Sequence, residues 1–411
     1  MKRSLSILFL LSFVFVVSAQ EKQINVSLGA GYANQVFVKL GTDEVTTISS
    51  SDWDVMFQRT DARSTVTRIN DARIQAYEVF NNYTSKVTAT QWDTVNVNNQ
   101  AGWKAIYNSD TIWSGGAFEK VVKPAGSSPF VYGWGYYDIN AHTLYASAIF
   151  VLKYPDATYK KFKIDQYAAG YTISYATWDA GTSSWGATTT NTIPNTTGAG
   201  NTYNFFSFTT NSVVASIPAD THWDVVFTKY TADYYGDGSF MYPVTGVLQG
   251  YTTTVAKSTD GSVPAATAYS SKINTIGYDW KTFNGTGYTL GGNKYFVKSS
   301  DGTIYKLWFT AFEGSSTGNV SFKYTSNLAG GISSETGASS LSFAYQAASK
   351  ELVLLNGSAA SDVAVFSLTG QKVFGATVSD SRVFLGNLTQ GIYLVRVKSG
   401  SENTQGKIIV P

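Results

Sequence analysis

Very few residues in this chain could carry metal, redox or nucleophilic chemistry. The 411 residues contain no cysteine and only two histidines, His142 and His222. The lack of cysteine excludes a thiolate nucleophile and a cysteine-based metal cluster. Serine hydrolysis needs a base beside the nucleophile, and two isolated histidines offer it little support. We therefore expect binding rather than catalysis, although the 28 acidic residues leave a glycosidase-type carboxylate pair open.

The elements that would position any site are predicted to be strands. The chain has 27 Tyr, 24 Phe, 10 Trp and 37 Gly, a composition that favours β structure. Within 161–164, Lys161 and Lys163 are predicted to share one face, opposite Phe162 and Ile164, as in a half-buried strand. No mature segment has the periodicity of an amphipathic helix. The predicted fold class is all-β.

Two parts of the chain look like copies of one module. Trp53-Asp54-Val55-Met56-Phe57 recurs as Trp223-Asp224-Val225-Val226-Phe227, and 150–153 resembles 295–298. Residues 181–201 and 328–339 are polar and rich in small residues, which is typical of linkers. We therefore expect module 1 over 20–180 and module 2 over 202–327.

The N-terminus is predicted to be a secretory signal peptide over residues 1–19. Lys2 and Arg3 precede an apolar run, 7–17, which is too short to span a membrane, and small residues follow it. Its removal leaves 28 of the 30 basic residues against 28 acidic ones. A neutral mature chain gives no electrostatic basis for binding nucleic acid, and we expect no transmembrane segment in it.

The C-terminal residues combine two hydrophobic strands, each beside a glycine turn, with a basic residue before an apolar end. These are Ser367–Val373, Leu388–Val395 and Lys407–Val410. The pattern resembles the type A sorting tail of the type IX secretion system of Bacteroidetes. The resemblance implies an Ig-like sandwich over 340–411, export across both membranes to the cell surface or medium, and the translocon and sorting machinery as partners. The residues expected to carry the signal are Gly370, Lys372, Gly391, Tyr393 and Lys407, with tight turns at both glycines.

The body also resembles a known family. The Trp-Asp strands, 242–248, Ile276–Lys281 and a Lys298–Gly302 hairpin running into Tyr305–Thr310 are similar to the HmuY family. The second copy matches over about 125 residues. The resemblance implies exported proteins that capture haem and pass it to an outer-membrane receptor.

Haem capture requires an apolar slot and one or two axial donors. The candidate donors are His142, His222 and Met241, and the histidines do not occupy matching positions in the two copies. The alternative is a carbohydrate-binding or adhesin-like surface protein, because tryptophans in polar loops can stack on sugar rings. The tryptophans concerned are Trp92, Trp103, Trp113 and Trp185. Both interpretations remain open from the sequence.

Overall fold

The computed structural model describes residues 21–60, 65–119, 131–326, 341–346, 349–355, 360–400 and 402–410. They fall into two compact units, a body over 21–326 and a C-terminal unit. The predicted signal peptide 1–19, the linker 328–339 and residue 340 lie outside the described residues. All strand pairs in the described residues are antiparallel, and the all-β prediction is confirmed.

In its described residues, the body contains 24 strands, one short α-helix and four 3₁₀ turns. The strands are β1 Lys22–Ser27, β2 Asn34–Lys39, β3 Glu44–Ser49, β4 Val55–Gln58, β5 Thr67–Ile69, β6 Gln75–Asn81, β7 Lys104–Ile106, β8 Gly135–Asp138, β9 Thr143–Ala146, β10 Ala148–Lys153, β11 Tyr159–Tyr167, β12 Gly170–Asp179, β13 Ser184–Trp185, β14 Thr189–Pro194, β15 Tyr203–Ser207, β16 Ser212–Val213, β17 Val225–Asp233, β18 Met241–Gln249, β19 Thr254–Ser258, β20 Lys281–Phe283, β21 Tyr288–Leu290, β22 Lys294–Lys298, β23 Ile304–Phe312 and β24 Asn319–Thr325. The α-helix is α1, Ala89–Asp93, and the 3₁₀ turns are Ala30–Tyr32, Asp220–His222, Ala266–Ala268 and Gly314–Ser316.

Four sheets form two sandwiches. In the first, a sheet of order β16-β15-β4-β5 packs on a sheet of order β13-β12-β11-β10-β6-β7, with Phe57 and Phe150 in the shared core. In the second, the order β18-β17-β2-β3 packs on β1-β24-β23-β22-β19, with Phe227 and Phe322 in the core. Burial of each such side chain contributes about 1.5–3 kcal/mol.

The sandwiches do not follow the predicted boundaries of 20–180 and 202–327. Strands β1 to β3 come from the N-terminal 22–49 but pair with β24 and β17 of the second sandwich. Strand β15, from 203–207, pairs instead with β4 of the first. The predicted linker 181–201 contains β13 and β14, which both pair with β12. Its polar composition suits an edge strand, because in β14 only Ile193 is buried while the backbone completes the sheet.

Each Trp-Asp pair holds the strand segment supplied by the other half of the chain. Asp54 accepts hydrogen bonds from the Phe208 N–H (2.7 Å) and the Tyr154 hydroxyl (2.9 Å). Asp224 accepts from the Leu40 N–H (2.9 Å) and from the Lys39 ammonium (3.0 Å). Burial raises the pKa of Asp54, and the bonds from Phe208 and Tyr154 oppose that rise. Each copy of the Trp-Asp motif therefore fixes a strand segment that is remote in sequence. We call Asp54 and Asp224, each with its hydrogen-bond donors, the lock.

The two sandwiches pack through the outer faces of their smaller sheets. Trp53 and Phe205 from one sheet join Phe37 and Trp223 from the other in a common cluster. The rings meet edge to face, with centroids 4.9 Å apart for Trp53 and Phe205 and 5.2 Å apart for Phe37 and Trp223. The body is thus four layers of sheet rather than two separate modules.

The C-terminal unit is a seven-stranded sandwich in the described residues. Its strands are β25 Ser342–Gln346, β26 Glu351–Leu355, β27 Ser361–Ser367, β28 Lys372–Val378, β29 Arg382–Phe384, β30 Gly391–Ser399 and β31 Glu402–Val410. Sheets of order β25-β26-β29 and β28-β27-β30-β31 enclose one apolar core, which includes Leu352, Val365 and Val395.

Replacing Asp224 by alanine tests the lock. The variant leaves Lys39 and the Leu40 N–H without their buried acceptor, so the free energy of unfolding should fall by about 3–5 kcal/mol. Urea unfolding followed by tryptophan fluorescence measures the loss. Asp279→Ala removes an exposed partner of Lys257 and should change stability by less than about 1 kcal/mol. Equal effects of the two substitutions would contradict the lock.

A fragment of residues 21–180 tests the strand exchange. It lacks β15, whose Phe206 lies in the first core, and it carries β1 to β3 without their partner strands. We expect no cooperative thermal transition in its near-ultraviolet circular dichroism, whereas residues 21–326 should unfold cooperatively. A folded 21–180 fragment would show that the predicted module 1 is independent after all.

Candidate functional site

The first two predicted haem donors are exposed and already have polar neighbours. His142 lies in the turn between β8 and β9 with a φ of 51°, and its Nδ1 is 3.0 Å from the Tyr137 hydroxyl. His222 ends a 3₁₀ turn, and its Nδ1 is 3.1 Å from Glu44 Oε2. The His222 side chain is 56% exposed. Neither imidazole faces an apolar slot.

Met241 lies far from His222. It is the first residue of β18 and pairs with Asp233 at the end of β17, whereas His222 precedes the start of β17. At about 3.3 Å per residue, the strand separates the two by roughly 25 Å. One iron atom cannot bind both. The structure therefore does not bring His142, His222 and Met241 together as a set. No group of three or more His, Asp or Glu side chains in the described part of the chain could hold a metal ion.

The pentapeptide Gly314–Gly318 has the Gly-x-Ser-x-Gly spacing of a nucleophile elbow. Here it forms the turn between β23 and β24, and the Ser316 hydroxyl donates to the backbone carbonyl of Glu313 at 3.4 Å. Ser316 is thus bound to the backbone of its own turn, and the turn joins two strands rather than a strand and a helix as a nucleophile elbow does.

A tryptophan groove on the body gives a more coherent site. It is a recess of about 320 Å³ on the outer face of the first sandwich's larger sheet. Its walls carry Trp178 and Trp185, whose rings meet edge to face with centroids 5.0 Å apart. The lining residues are Asp93, Thr94, Val95, Asn96, Lys161, Trp178, Ser183, Ser184, Trp185, Gly186 and Thr188.

The β12–β13 hairpin positions the two wall tryptophans. Trp178 and Trp185 are register partners across this hairpin. The turn is closed by Asp179, whose carboxylate accepts from the Gly181 N–H at 2.8 Å. Trp185 is fixed further because its indole N–H donates to the Val95 carbonyl at 2.6 Å. The rings are therefore held before any ligand arrives.

The helix α1 supplies the third tryptophan and one side of the groove. Thr88 and Gln91 form a capping box that starts the helix. Trp92 is buried beneath the groove, and its indole N–H donates to the Thr188 hydroxyl at 3.0 Å. Asp93, the next residue, is exposed on the rim.

Lys161 forms a buried positive floor. Only 2% of it is exposed, and its ammonium donates to the Trp92 carbonyl at 2.8 Å. The ammonium lies 4.4 Å from the ring centroid of Trp92 and 5.2 Å from that of Trp185, distances typical of cation–π contacts. Burial lowers the pKa of Lys161 to about 8, and the charge of Asp93 opposes the shift.

The other tryptophans of the saccharide hypothesis have different surroundings. Trp113 is packed between the sandwiches against Trp223, and its indole N–H donates to the Gln249 carbonyl at 2.9 Å. Trp103 is half-buried between Tyr77 and Tyr159. Trp92 lies beneath the groove and Trp185 lines it, so two of the four predicted tryptophans come together. Trp178 was missed, although its place at the end of an alternating strand, before a Gly181 turn, was a signal for it.

The cavity between the sandwiches is too small for a cofactor. It measures about 40 Å³ and lies beside Trp53, Trp223 and Trp113. Ligand pockets usually enclose about 300–1,000 Å³. This space can hold one or two water molecules, and it cannot hold a porphyrin.

The expected sorting residues occupy defined places in the C-terminal sandwich. Gly370 has a φ of 84° in the turn between β27 and β28. Gly391 opens β30 and does not have a positive φ. The buried Tyr393 donates its hydroxyl to the Thr389 carbonyl at 2.8 Å. Lys372 and Lys407 are exposed.

Among the described residues, no helix is both long and apolar enough to cross a membrane. No curated protein matches the chain. Of the solved structures, apo PinO of Porphyromonas is similar at 11% identity and a TM-score of 0.21. That match covers 75% of this chain and 97% of the PinO chain. PorZ of Porphyromonas gingivalis, an essential surface component of the type IX secretion system, is similar at 10% identity and a TM-score of 0.15. That match covers 95% of this chain and 58% of PorZ.

The C-terminal unit is identified by a family model. The model of the secretion system C-terminal sorting domain matches residues 348–411, which agrees with the sorting tail predicted over 340–411. The resemblance of the body to the HmuY family stays a hypothesis. The chain therefore ends in a type IX sorting domain, which directs it through that system to the cell surface or the extracellular space.

Proposed function

We propose that the body is a saccharide-binding module displayed on or released from the cell surface. The observation that carries the proposal is the tryptophan groove, where the rings of Trp178 and Trp185 stand beside hydroxyl, amide and carboxylate groups. Aromatic faces can stack on the C–H surfaces of sugar rings. Polar side chains around them can pair with sugar hydroxyls, which gives orientation and specificity.

The size and composition of the groove suit a sugar better than haem. A volume of about 320 Å³ lies at the small end of ligand sites. Most of its lining residues are polar, and its floor is the ammonium of Lys161. A porphyrin needs a larger apolar slot with an axial donor, and none of His142, His222 and Met241 lines this groove. Haem capture, with transfer to an outer-membrane receptor, therefore rests on the HmuY resemblance alone.

The groove supports recognition rather than hydrolysis. Asp93 is the only acidic side chain among its described lining residues. Hydrolysis of a glycoside ordinarily uses two carboxylates on opposite sides of the scissile bond. A single rim carboxylate can instead accept hydrogen bonds from sugar hydroxyls. We therefore propose that the protein is not an enzyme.

Saccharide binding is tested with a glycan array and native electrophoresis in gels that contain soluble polysaccharides. We expect retention by the unmodified protein, and a loss of affinity of about tenfold or more in Trp178→Ala, because the stacking face is removed. The control Trp103→Ala removes a half-buried tryptophan outside the groove and should bind normally. A haemin titration in parallel should give no Soret shift. A Soret shift without glycan binding would overturn the proposal in favour of haem capture.

The buried ammonium on the groove floor gives a separate prediction of pH dependence. Folded Lys161 has a pKa near 8, whereas an unfolded lysine titrates at about 10.4. Between these two pKa values the unfolded chain binds a proton that the folded chain does not, so the free energy of unfolding rises with pH. Relative to Lys161→Met, the unmodified protein should therefore gain stability between pH 7 and pH 10.

Urea unfolding of both proteins at the two pH values measures this gain. Lys104→Met, which removes an exposed ammonium, controls for the loss of any lysine. A difference between the unmodified protein and Lys161→Met that stays constant with pH would show that Lys161 is hydrated rather than buried.

A further inference from the structure

One face of the C-terminal sandwich concentrates positive charge. On the sheet β28-β27-β30-β31, Arg396 and Lys398 are exposed on alternate positions of β30, and Lys407 is exposed on the neighbouring β31. Lys372 lies on β28, at the opposite edge of the sheet from β31, and is the register partner of Phe366 on β27. We call these four cations, with the sheet surface between them, the basic face. It does not depend on the saccharide proposal.

Few acidic side chains lie close enough to neutralise these four positive charges. In the described part of the C-terminal unit, none of them forms a salt bridge, and the ion pair there joins Arg382 to Glu351. The only acidic residue in register with them is Asp362, opposite Lys398, and it accepts a hydrogen bond from the Thr377 hydroxyl. The face therefore carries a surplus of three positive charges in a protein whose mature chain is neutral.

The basic face has a recess at its centre. A depression of about 690 Å³ is bordered by Lys372, Arg396 and Lys398. Its floor is low because the register partners there are Ala364, which has a small side chain, and Gly375, which has none. Cε and Nζ of Lys372 occupy the space that a Cβ on Gly375 would need, so glycine at this position lets Lys372 rest along the sheet. The recess thus presents one guanidinium and two ammonium groups, beside the carboxylate of Asp362, to a single incoming group.

Two exposed isoleucines lie farther along the same face, outside the recess. Ile392 and Ile409 are register partners and are 38% and 60% exposed. Phe366 lies under the Arg396 guanidinium, 5.7 Å from the ring centroid, which restrains the direction of the fork. A partner that fits this face combines acidic groups with apolar ones.

We propose that the basic face docks an acidic protein segment of the secretion machinery, with one carboxylate seated in the recess on Arg396. A planar guanidinium pairs with a carboxylate through two parallel hydrogen bonds, and a recess with a restrained arginine favours that geometry. An anionic membrane would be attracted by about 1 kcal/mol for each cation. It would not use the recess, because a bilayer meets a flat sheet through its most exposed atoms.

The first test measures binding of the full chain to a fluorescein-labelled oligoglutamate peptide by anisotropy. We expect salt-sensitive binding that falls more than tenfold in the double variant Arg396→Glu/Lys398→Glu. The matched control Lys350→Glu/Arg382→Glu makes the same charge change in the same unit and should stay within about threefold of the unmodified chain. Equal losses in both variants would overturn the assignment of the face.

A conservative substitution separates the recess from diffuse charge. Arg396→Lys keeps the charge but loses the two-pronged geometry, so oligoglutamate affinity should fall about five- to tenfold. An unchanged affinity would overturn the seated carboxylate. Sedimentation with phosphatidylglycerol vesicles should recover no protein at physiological salt, and recovery that depends on Arg396 would overturn the protein partner in favour of a membrane.

Export in a bacterium with a type IX system provides the second test. Arg396→Glu/Lys398→Glu should accumulate in the periplasm, as should a chain that lacks residues 340–411. The control Lys350→Glu/Arg382→Glu should reach the cell surface or medium. Normal export of the first variant would overturn the docking role. Saccharide binding by the body is read out separately and should be the same in all these variants.

Discussion

The buried carboxylates of the two Trp-Asp pairs are the constraint on which the body depends. Asp54 and Asp224 each accept a backbone N–H from a strand segment that is remote in sequence. Burial of a carboxylate is costly unless hydrogen bonds satisfy it. Each aspartate therefore favours only the arrangement in which its donated segment is in place. The neighbouring tryptophans, Trp53 and Trp223, then form the interface between the sandwiches.

Because of this exchange, we expect the body to unfold cooperatively without any disulfide. Strands from residues 22–49 complete a sandwich whose other strands end at Thr325. The first core likewise needs Phe206 and Phe208 from beyond the supposed linker. Neither half can bury its apolar surface before nearly the whole body is present. Aromatic packing in three clusters stabilises the folded body, whereas smaller exported domains rely on disulfides for that stability.

Local patterns predicted the strands and the repeat but not the pairing between remote segments. Alternation placed Lys161 and Lys163 on one face, and both ammonium groups do lie over Trp92. The matching Trp-Asp strands were visible because identical short motifs can be compared directly. The exchange was missed because strand partners far apart in sequence leave no local periodicity. One signal was present, since Gly29-Ala30-Gly31 before β2 recurs as Gly198-Ala199-Gly200 before β15.

The candidate site could be predicted only in part for a related reason. Polar loops around Trp92 and Trp185 suggested exposed tryptophans, yet the groove also requires Trp178 and the buried Lys161, which come from the sheet beneath. A lysine in an alternating strand is ordinarily assigned to solvent. Here the segment that includes α1 covers that face, and a loop that folds back over a sheet cannot be placed from its own residues. The haem donors show the converse, because suitable residue types do not form a site when the strand β17 separates them.

The tryptophan groove is a feature of the first sandwich, whereas the lock occurs in both sandwiches. Among the described residues, α1 has no counterpart in the second sandwich, whereas a Trp-Asp pair occurs in each. A scaffold whose two sandwiches are each held by a buried aspartate can accept changes in its outer loops, because those loops add little to the cores. The two charged features are likewise divided between the units. The groove of the body has the buried ammonium of Lys161 between indole rings, which suits a polar ligand that stacks, while the C-terminal unit presents four exposed cations, which suit an acidic surface. Recognition of a ligand outside the cell and recognition by the export machinery can then change independently, since no residue of the groove belongs to the sorting domain.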